Sequence, residues 1–348
     1  MSLCLSMIVK NEAHIIQRSL RSIRPFIDCY SISDTGSTDA TMEIIREELG
    51  DLPGVLRRDD WVDFATNRNL AMANCTATHI VFLDADDVVH STTRNLVLPP
   101  EYDGFTVRIE MPSMDSWATG IIRNDPRWSW KHKLHESLYF DGTPRIQKLE
   151  TLWAKTISDS HRNQSGEKLL RDLEILETEP LLTRRIFYQA QTLMELGRHE
   201  EALAKYLERA EMGGWPEEIY VSLWRAAELM YKTDATPAAV EAALKKAYWF
   251  RPSRLEALVV LCELLNKHNA YEASYRHSLV EPRPSQDALF VVKDAEWRLL
   301  EEHAIAAFHL GKLDEARAYN LRVLTYNLLP IDRRRITEAL NLCGLVIP

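Results

Sequence analysis

The first 165 residues alternate short apolar runs with segments of helical periodicity. Four apolar runs predict strands, and they lie at 3–10, 27–34, 79–87 and, more briefly, within 53–60. Three segments between them repeat apolar residues at helical spacing and predict helices: 12–23, 40–49 and 63–75. This alternation is typical of an α/β domain with a mostly parallel sheet, whose functional loops lie at the carboxyl ends of the strands. Shorter alternating runs in 103–165 predict additional antiparallel strands.

From Glu167 onward the strand pattern disappears and pairs of amphipathic helices follow one another. Breaks at Gly197, Tyr231, Lys267 and Gly311 lie 34, 36 and 44 residues apart, and the first two spacings match the period of tetratricopeptide-type hairpins. An irregular helical bundle is the alternative. We therefore expect two domains, an α/β domain over 1–165 and an all-α repeat domain over 166–348. A helical stack of this kind exposes a groove that binds a partner, so a homodimer through the helical domain is also expected.

Composition narrows the class of protein. The chain has 348 residues, a formal net charge of −9, 46% hydrophobic and 27% charged residues, which excludes a disordered chain. No run of eighteen apolar residues predicts a membrane span, and the N-terminus does not resemble a signal peptide. Five scattered cysteines without a C-x-x-C pair indicate reduced thiols in a cytoplasmic protein. A net acidic chain is also unlike the usual nucleic-acid binder.

Carboxylates are concentrated directly after the apolar run HIVFL. Asp84, Asp86 and Asp87 follow it, and their mutual repulsion would raise their pKa values unless a cation intervened. Hard carboxylate oxygens two residues apart suit Mg²⁺ or Mn²⁺ carrying a diphosphate. A solvated turn that ends the strand is the alternative interpretation.

A second polar segment, DTGSTDAT at 34–41, follows the second predicted strand. Gly36 permits a tight turn, and Thr38 or Asp39 can cap the next helix. Asp34, at the strand end, is then available to accept hydrogen bonds from the edge of a base.

Four motifs occur in order along this region: SMIVKNE (6–12), DTGSTD (34–39), DFATNRN (63–69) and FLDADD (82–87). Together they resemble the family-2 glycosyltransferases of the GT-A fold. The resemblance covers residues 3 to about 175, and the helical tail extends it to the branch that carries tetratricopeptide-like helices. The sublancin-type peptide S-glycosyltransferases belong to that branch.

The resemblance implies a donor site for a UDP-sugar. Val9 and Glu12 would border the nucleotide, with Glu12 near the ribose. Asp34 would accept from the uracil imide, and Arg68 would face the base or the diphosphate. The Asp-x-Asp element comprises Asp84, Ala85 and Asp86, with Asp86 as the direct ligand of Mn²⁺ or Mg²⁺.

It also implies the catalytic groups. ATGIIRND (118–125) resembles the acceptor loop, and Glu136 in KLHESL corresponds to the general base. His161 corresponds to the late histidine that completes the metal site, although a surface histidine is the alternative there. Asp115 and Asp125 are alternative bases. The expected reaction is metal-dependent inverting transfer from a nucleotide sugar.

The acceptor is predicted only as a macromolecule. The helical stack and the acidic net charge favour a Ser, Thr or Cys side chain of a peptide or protein. The segment 123–133 interleaves basic residues with Trp128 and Trp130, which suits a hydroxymethylated base in DNA instead. A non-catalytic binding module of the same fold is the third hypothesis.

Overall fold

The computed structural model describes residues 1–157, 159, 168–233, 235–280 and 288–344. The chain divides into two compact units, Met1–Pro180 and Leu181–Pro348. The elements of the first unit begin as an alternation of strands and helices: β1 Leu3–Val9, α1 Ile16–Ile23, β2 Cys29–Asp34, α2 Thr41–Leu49, β3 Gly54–Arg58, α3 Phe64–Ala73 and β4 His79–Phe82, with a short 3-10 helix Arg24–Phe26 after α1. Further strands and one helix complete it: β5 Asp87–Ser91, β6 Gly104–Glu110, β7 Met114–Arg123, β8 Trp128–Lys131, β9 Ser137–Phe140, β10 Ile146–Thr156 and α4 Lys168–Glu177.

Eight of the strands described in this unit form one sheet in the order β3-β2-β1-β4-β7-β6-β10-β5. The four strands β3, β2, β1 and β4 are parallel, as the strand–helix alternation predicts. Their carboxyl ends therefore meet at one edge. A hydrophobic core of fully buried side chains holds α1 and α2 against the sheet, and it includes Leu5, Met7, Leu20, Ile32 and Ile45.

The second half of the sheet is mixed. β6 and β7 form the antiparallel pair that the alternating runs predict, and β10 is antiparallel to β5. β10 and β6, however, are parallel, with a register shift between Leu149 and Trp153. β8 and β9 form a separate antiparallel hairpin, in which Trp128 faces Phe140 and Lys131 faces Ser137.

The described residues of the second unit form helices and one three-residue strand. Its elements are α5 Leu182–Glu195, α6 His199–Glu211, α7 Pro216–Lys232, α8 Pro237–Phe250, α9 Glu256–Lys267, α10 Tyr271–Ser278, β11 Phe290–Val292, α11 Ala295–His309, α12 Leu313–Val323 and α13 Pro330–Leu342. Gly197 and Gly311 follow α5 and α11 with φ of 74° and 75°, the left-handed conformation in which glycine commonly ends a helix. Ala202 and Ala316, on the helices that come next, are fully buried.

Hydrogen bonds in this unit recur at the predicted repeat spacing. Tyr220 donates to Glu256 (3.0 Å) and Asn266 donates to Glu302 (2.8 Å), each pair being 36 residues apart. Arg335 donates to Glu301, 34 residues away. Equivalent positions of successive helical pairs thus contact one another, which is the packing expected of a repeat. In the described part of the chain, no helix has the length and apolar character needed to cross a membrane.

Candidate active site

The carboxyl ends of β1, β2 and β4 position the predicted donor residues. Val9 pairs with Asp34 in the sheet register, and β4 lies on the other side of β1, with Phe82 opposite Ser6. The loops after these strands are therefore neighbours at one edge of the sheet. Because the sheet is parallel here, three motifs that are distant in sequence meet at this edge.

Hydrogen bonds tie the loop after β1 to the loop after β2. The Asn11 side chain accepts from the Thr38 amide (2.8 Å), and the Asn11 amide donates to the Ser37 hydroxyl (2.9 Å). The amide of Glu12, which is buried, donates to the Thr41 hydroxyl (2.8 Å). Asn11 has a positive φ of 57°, so the chain turns sharply as it leaves the strand. These hydrogen bonds join the two loops beside Val9, and we call the joined loops the rim.

Asp34 is the most buried acidic group at this rim. Its side chain is 0% exposed, and Oδ1 accepts from the amides of Gly36 (3.1 Å) and Ser37 (2.9 Å). Gly36 has a φ of 104°, which permits the tight turn that brings both amides to Oδ1. Arg58 lies 3.4 Å from the same oxygen. Oδ2 is buried and makes no hydrogen bond with any described residue, so it is an unsatisfied acceptor.

The acidic segment forms a tight turn between β4 and β5. The Asp87 amide donates to the Asp84 carbonyl (3.1 Å), and the Asp84 side chain is 51% exposed, whereas Asp86 and Asp87 are buried. Burial, followed by the charge of Asp84, raises the pKa of Asp87 to about 7, although Thr156 donates to its carboxylate (2.6 Å). Ala85, also predicted at the donor site, is buried within the turn. The segment is therefore an acidic turn in which two of the three carboxylates are buried.

Arg68 joins this turn to the predicted general base. Its Nη2 donates to Asp84 Oδ1 (2.6 Å) and its Nε donates to Glu136 Oε1 (2.5 Å). Burial alone would lower the pKa of the guanidinium, but the charges of Asp84 and Glu136 outweigh it and raise that pKa above its ordinary value. Helix α3 holds Arg68 in place, and Asp63 caps the start of that helix by accepting from the Thr66 amide (2.7 Å).

Trp130 and Asn69 complete this arrangement, although the sequence pattern assigns neither of them to the catalytic site. The Arg68 guanidinium lies 5.0 Å from the Trp130 ring centroid, and Phe82 packs edge-on against the same ring at 4.9 Å. The Asn69 side chain exchanges two hydrogen bonds of 2.9 Å with the Trp130 backbone. The hairpin that carries Glu136 is thereby attached to α3. Asn69 lies in the quoted DFATNRN motif, which is the signal that could have identified it.

Glu136 lies in the loop that joins β8 and β9. His132 and His135 in this loop have positive φ values of 74° and 52°, and His132 is held by Glu179 (2.8 Å) and by the Tyr139 hydroxyl (2.8 Å). These contacts fix the loop from both sides. The Glu136 side chain is only 12% exposed, so it is held in the cluster with Arg68.

The two alternative bases lie at opposite edges of the sheet, with Asp115 on the side of Asp84 because β7 runs antiparallel to β4. Asp115 is opposite Glu110 on the β6–β7 hairpin, and Arg108 lies 3.5 Å from its carboxylate. Asp125 lies just after Arg123, which pairs with His79 at the start of β4, so it is at the edge opposite Asp84. Its hydrogen bonds with Arg127 lower the pKa of Asp125 to about 2. A group with that pKa, at that edge, is a poor base for a reaction near Asp84.

The residues at this edge fit a divalent cation in their donor chemistry. Asp84 and Asp86 supply hard carboxylate oxygens, and Mg²⁺ is commonly held by one or two carboxylates together with substrate phosphates and water. Among the described residues, no three His, Cys, Asp or Glu side chains form a metal cluster by themselves. His161, the predicted third ligand, lies outside the described residues.

The segment 123–133 does not present both of its tryptophans to a ligand. Trp128 is 4% exposed and packs edge-on against Phe140 at 4.7 Å, inside the second hydrophobic cluster of this unit. Trp130 lies beneath Arg68, and Arg127 pairs with Asp125 (2.7 Å). Of the base-stacking surface inferred from sequence, Trp128 is thus used in core packing and Arg127 in an ion pair.

Comparison with known proteins supports the resemblance for the first unit. Residues 4–107 match the family model described as Glycosyl transferase family 2. The matched range includes Glu12, Asp34, Arg68 and Asp86. The predicted resemblance and the predicted α/β fold class are confirmed for this region.

Two relatives are similar to this chain over stretches longer than the range 4–107. A TPR repeat-containing protein of Synechococcus elongatus is 34% identical over 164 residues, covering 44% of this chain and 39% of the relative. A prophage-derived glycosyltransferase, SunS of Bacillus subtilis, is 23% identical over 220 residues, covering 58% of this chain and 51% of SunS. The chain thus spans about half, or less, of the length of these relatives.

Solved structures similar to the chain include MamA, at 13% identity and a TM-score of 0.35, covering 45% of this chain and 85% of MamA. A tetratricopeptide repeat protein from Parabacteroides merdae is similar at 15% identity and a TM-score of 0.37, covering 51% of this chain and 66% of that protein. Scores of this size do not establish a shared fold. The repeat architecture of the second unit rests on its own hydrogen-bond spacing.

Proposed function

We propose that this chain is a metal-dependent, inverting glycosyltransferase that moves a sugar from a nucleotide diphosphate sugar, with UDP-hexose as the expected donor, to a macromolecular acceptor. The observation that carries the proposal is the cluster at the carboxyl edge of the sheet. There Arg68 contacts both Asp84, of the Asp-x-Asp element, and Glu136, the predicted base. The match of residues 4–107 to a glycosyltransferase family supports the same reaction class.

Asp34 supports the assignment of a uracil nucleotide. Its buried Oδ2 has no hydrogen-bond partner among the described residues, while Oδ1 is already satisfied by two backbone amides. A buried carboxylate oxygen left without a donor is costly, and an imide N–H from the base would remove that cost. Val9 and Glu12 lie on the adjoining rim, where they would border the nucleotide.

Asp84 and Asp86 would hold the divalent cation, Mn²⁺ or Mg²⁺. When bound, such a cation neutralises the charge that develops on the departing nucleotide diphosphate. Asp86 is buried in the turn, whereas Asp84 is half exposed and faces Arg68.

Glu136 would act as the general base. Its carboxylate would take the proton of the acceptor nucleophile as that nucleophile bonds to the anomeric carbon of the sugar. The bond to the nucleotide diphosphate breaks on the opposite face in the same displacement, so the anomeric carbon is inverted. Arg68 holds Glu136 through Oε1, which orients the carboxylate before the acceptor arrives. No covalent intermediate is needed, so no nucleophilic side chain is required.

We propose a Ser, Thr or Cys side chain of a peptide or protein as the acceptor. The second unit is a stack of helical pairs, an architecture that commonly presents an extended binding surface. The alternative acceptor, a modified base in DNA, rests on the basic residues of 123–133 together with Trp128 and Trp130, and burial of Trp128 weakens that support. A homodimer through the helical unit stays a prediction.

Nucleotide release from a panel of UDP- and GDP-sugars, with and without Mn²⁺, tests the proposal. We expect slow, Mn²⁺-dependent hydrolysis of one UDP-sugar before any acceptor is known. Asp86→Ala should abolish it, and Glu136→Gln should abolish transfer once an acceptor is found. Arg127→Gln is the matched control, since it removes an ion-paired arginine at the opposite edge. Release by no sugar nucleotide would contradict the proposal and favour a binding module. Full transfer by the Glu136→Gln protein would contradict the assignment of Glu136 as the base.

A further inference from the structure

Arg68 is the cation that neutralises the two carboxylates of the proposed reaction. Its side chain is 10% exposed, that of Glu136 12% and that of Asp84 51%. One guanidinium therefore serves two acidic groups that occupy different environments. The pair with Glu136 is shielded from water, whereas the pair with Asp84 is open to it. Exposed pairs are the weaker kind, so the contact with Asp84 is the one more easily broken.

The position of the guanidinium opposes the binding of a second cation at Asp84. Nη2 lies 2.6 Å from Asp84 Oδ1, so it occupies one side of an oxygen that a metal ion would coordinate. The two cations would also repel each other at so short a separation. Binding of a metal to Asp84 and binding of Arg68 to the same carboxylate therefore compete.

We propose that Arg68 and the divalent cation exchange places at Asp84. In the donor-free protein, Arg68 neutralises Asp84 and Glu136. When the nucleotide and the metal bind together, Arg68 releases Asp84, stays held by Glu136 and turns its free N–H groups toward the diphosphate. This inference rests on the proposed function, and it makes Arg68 a positioning residue for Glu136.

The exchange has a consequence for binding order. Without a nucleotide, a metal ion must displace Arg68 with no phosphate to receive the guanidinium, so the donor-free protein should bind metal weakly. With a nucleotide diphosphate, the displaced guanidinium gains new anionic partners. Metal and nucleotide should therefore each strengthen the binding of the other.

The fluorescence of Trp130 can report this movement of Arg68. The Trp130 ring lies 5.0 Å from the Arg68 guanidinium and is fixed by Asn69 and Phe82. Movement of the cation over this ring changes the electrostatic surroundings of the indole. The part of the emission that is lost in Trp130→Phe therefore reports the position of Arg68.

The first experiment measures binding of Mn²⁺ alone to the donor-free protein by electron paramagnetic resonance of free Mn²⁺. We expect Arg68→Gln to bind Mn²⁺ about tenfold more tightly than wild type, because Asp84 no longer has a competing cation. Arg127→Gln is the control, since Arg127 also pairs with a carboxylate (2.7 Å) and lies over an aromatic ring, Phe140. It should bind Mn²⁺ as wild type does.

Arg68→Lys provides a second variant if the glutamine destabilises the fold. Lysine keeps the charge but lacks the planar fork that reaches two carboxylates, so Mn²⁺ affinity should rise by a smaller factor. Wild-type Mn²⁺ affinity in the folded variants would overturn the proposal.

Fluorescence of the wild-type protein gives a test that needs no Arg68 variant. Addition of Mg²⁺ and UDP together should change the Trp130 contribution, obtained by subtracting the emission of Trp130→Phe, and Mg²⁺ alone should change it little. An unchanged contribution with both ligands bound would overturn the exchange. These readouts do not need turnover, so failure of the proposed enzyme activity is recognised separately, as absence of nucleotide release.

Discussion

Substitution of Asp34 by asparagine changes one atom of the proposed base pocket. Oδ1 accepts from two backbone amides, and the single oxygen of asparagine can keep both hydrogen bonds. The amide nitrogen then occupies the position of Oδ2, which makes no hydrogen bond with the described residues. The loop should be preserved, while the ligand-facing atom changes from an acceptor to a donor.

The expected loss of UDP affinity follows from the hydrogen bond that this atom would accept. A hydrogen bond from the uracil imide to a buried carboxylate is worth about 1.5–3 kcal/mol, as charged hydrogen bonds are. Its loss corresponds to about 10- to 100-fold weaker binding of UDP. Cytosine carries an acceptor where uracil carries the imide N–H, so the asparagine should bind CDP more tightly than the aspartate does. The variant should thus reverse or erase a preference for UDP over CDP.

Isothermal titration of UDP and CDP into both proteins, in Mg²⁺, measures this change. Thermal unfolding of the variant provides the control for the loop, and we expect it to remain close to wild type. An Asp34→Asn protein that is folded and binds UDP and CDP with the wild-type constants would refute the assignment of Asp34 to the base.

Two further predictions concern stability and the acceptor. Burial raises the pKa of Glu302 from 4.5 to about 7. The charges of Glu263 and Glu301 also raise this pKa, whereas the hydrogen bond from Asn266 and the charge of Arg298 lower it. Because its pKa in the folded chain is raised, the stability it contributes is complete below pH 4.5 and is lost as pH rises through 7. Between pH 4.5 and pH 8, we expect the unfolding free energy of wild type to fall by about 3 kcal/mol relative to that of Glu302→Gln. Urea unfolding of both proteins measures this difference. A difference that does not change with pH would contradict the prediction. The chain should also fail to bind DNA at low salt, given its net charge of −9 and the buried Trp128. Retention on a DNA column that falls steeply with salt would restore the DNA acceptor.

Periodicity predicts most of the first unit because its helices and strands are local features. The runs at 3–10 and 27–34 become β1 and β2, and 40–49 becomes α2. The limits differ where loop contacts intervene. The helix predicted from 12 begins at Ile16, because Glu12 is bound to the neighbouring loop and its carbonyl accepts from Ile15 (3.0 Å) in a turn. The strand predicted to 87 ends at Phe82, because Asp84 and Asp87 close a turn.

Pairing between distant strands cannot be predicted in the same way. Antiparallel strands were expected throughout 103–165, but β10 is parallel to β6. Alternation specifies which face of a strand is buried, and it does not specify the direction of a partner that is forty residues away in sequence. That direction depends on packing of the whole sheet.

The candidate site likewise combines features that the sequence predicts with features that it does not. The positions of Asp34 and Asp86 at strand ends follow from the sequence pattern, because parallel strands end at a common edge. The dual pairing of Arg68 does not, since Glu136 is 68 residues away and reaches it only through the β8–β9 hairpin. Period-two alternation places Trp128 and Trp130 on one face of β8, which was evidence for packing rather than for a base-stacking surface.

A crystal structure with UDP and manganese is the most direct test of the central claim. We expect an anomalous manganese peak in direct coordination with Asp84, Asp86 and the diphosphate, with the uracil imide at Asp34 Oδ2 and Glu136 facing the donor site. Nucleotide and manganese bound away from the turn Asp84–Asp87, with Asp34 and Glu136 contacting neither, would contradict the account.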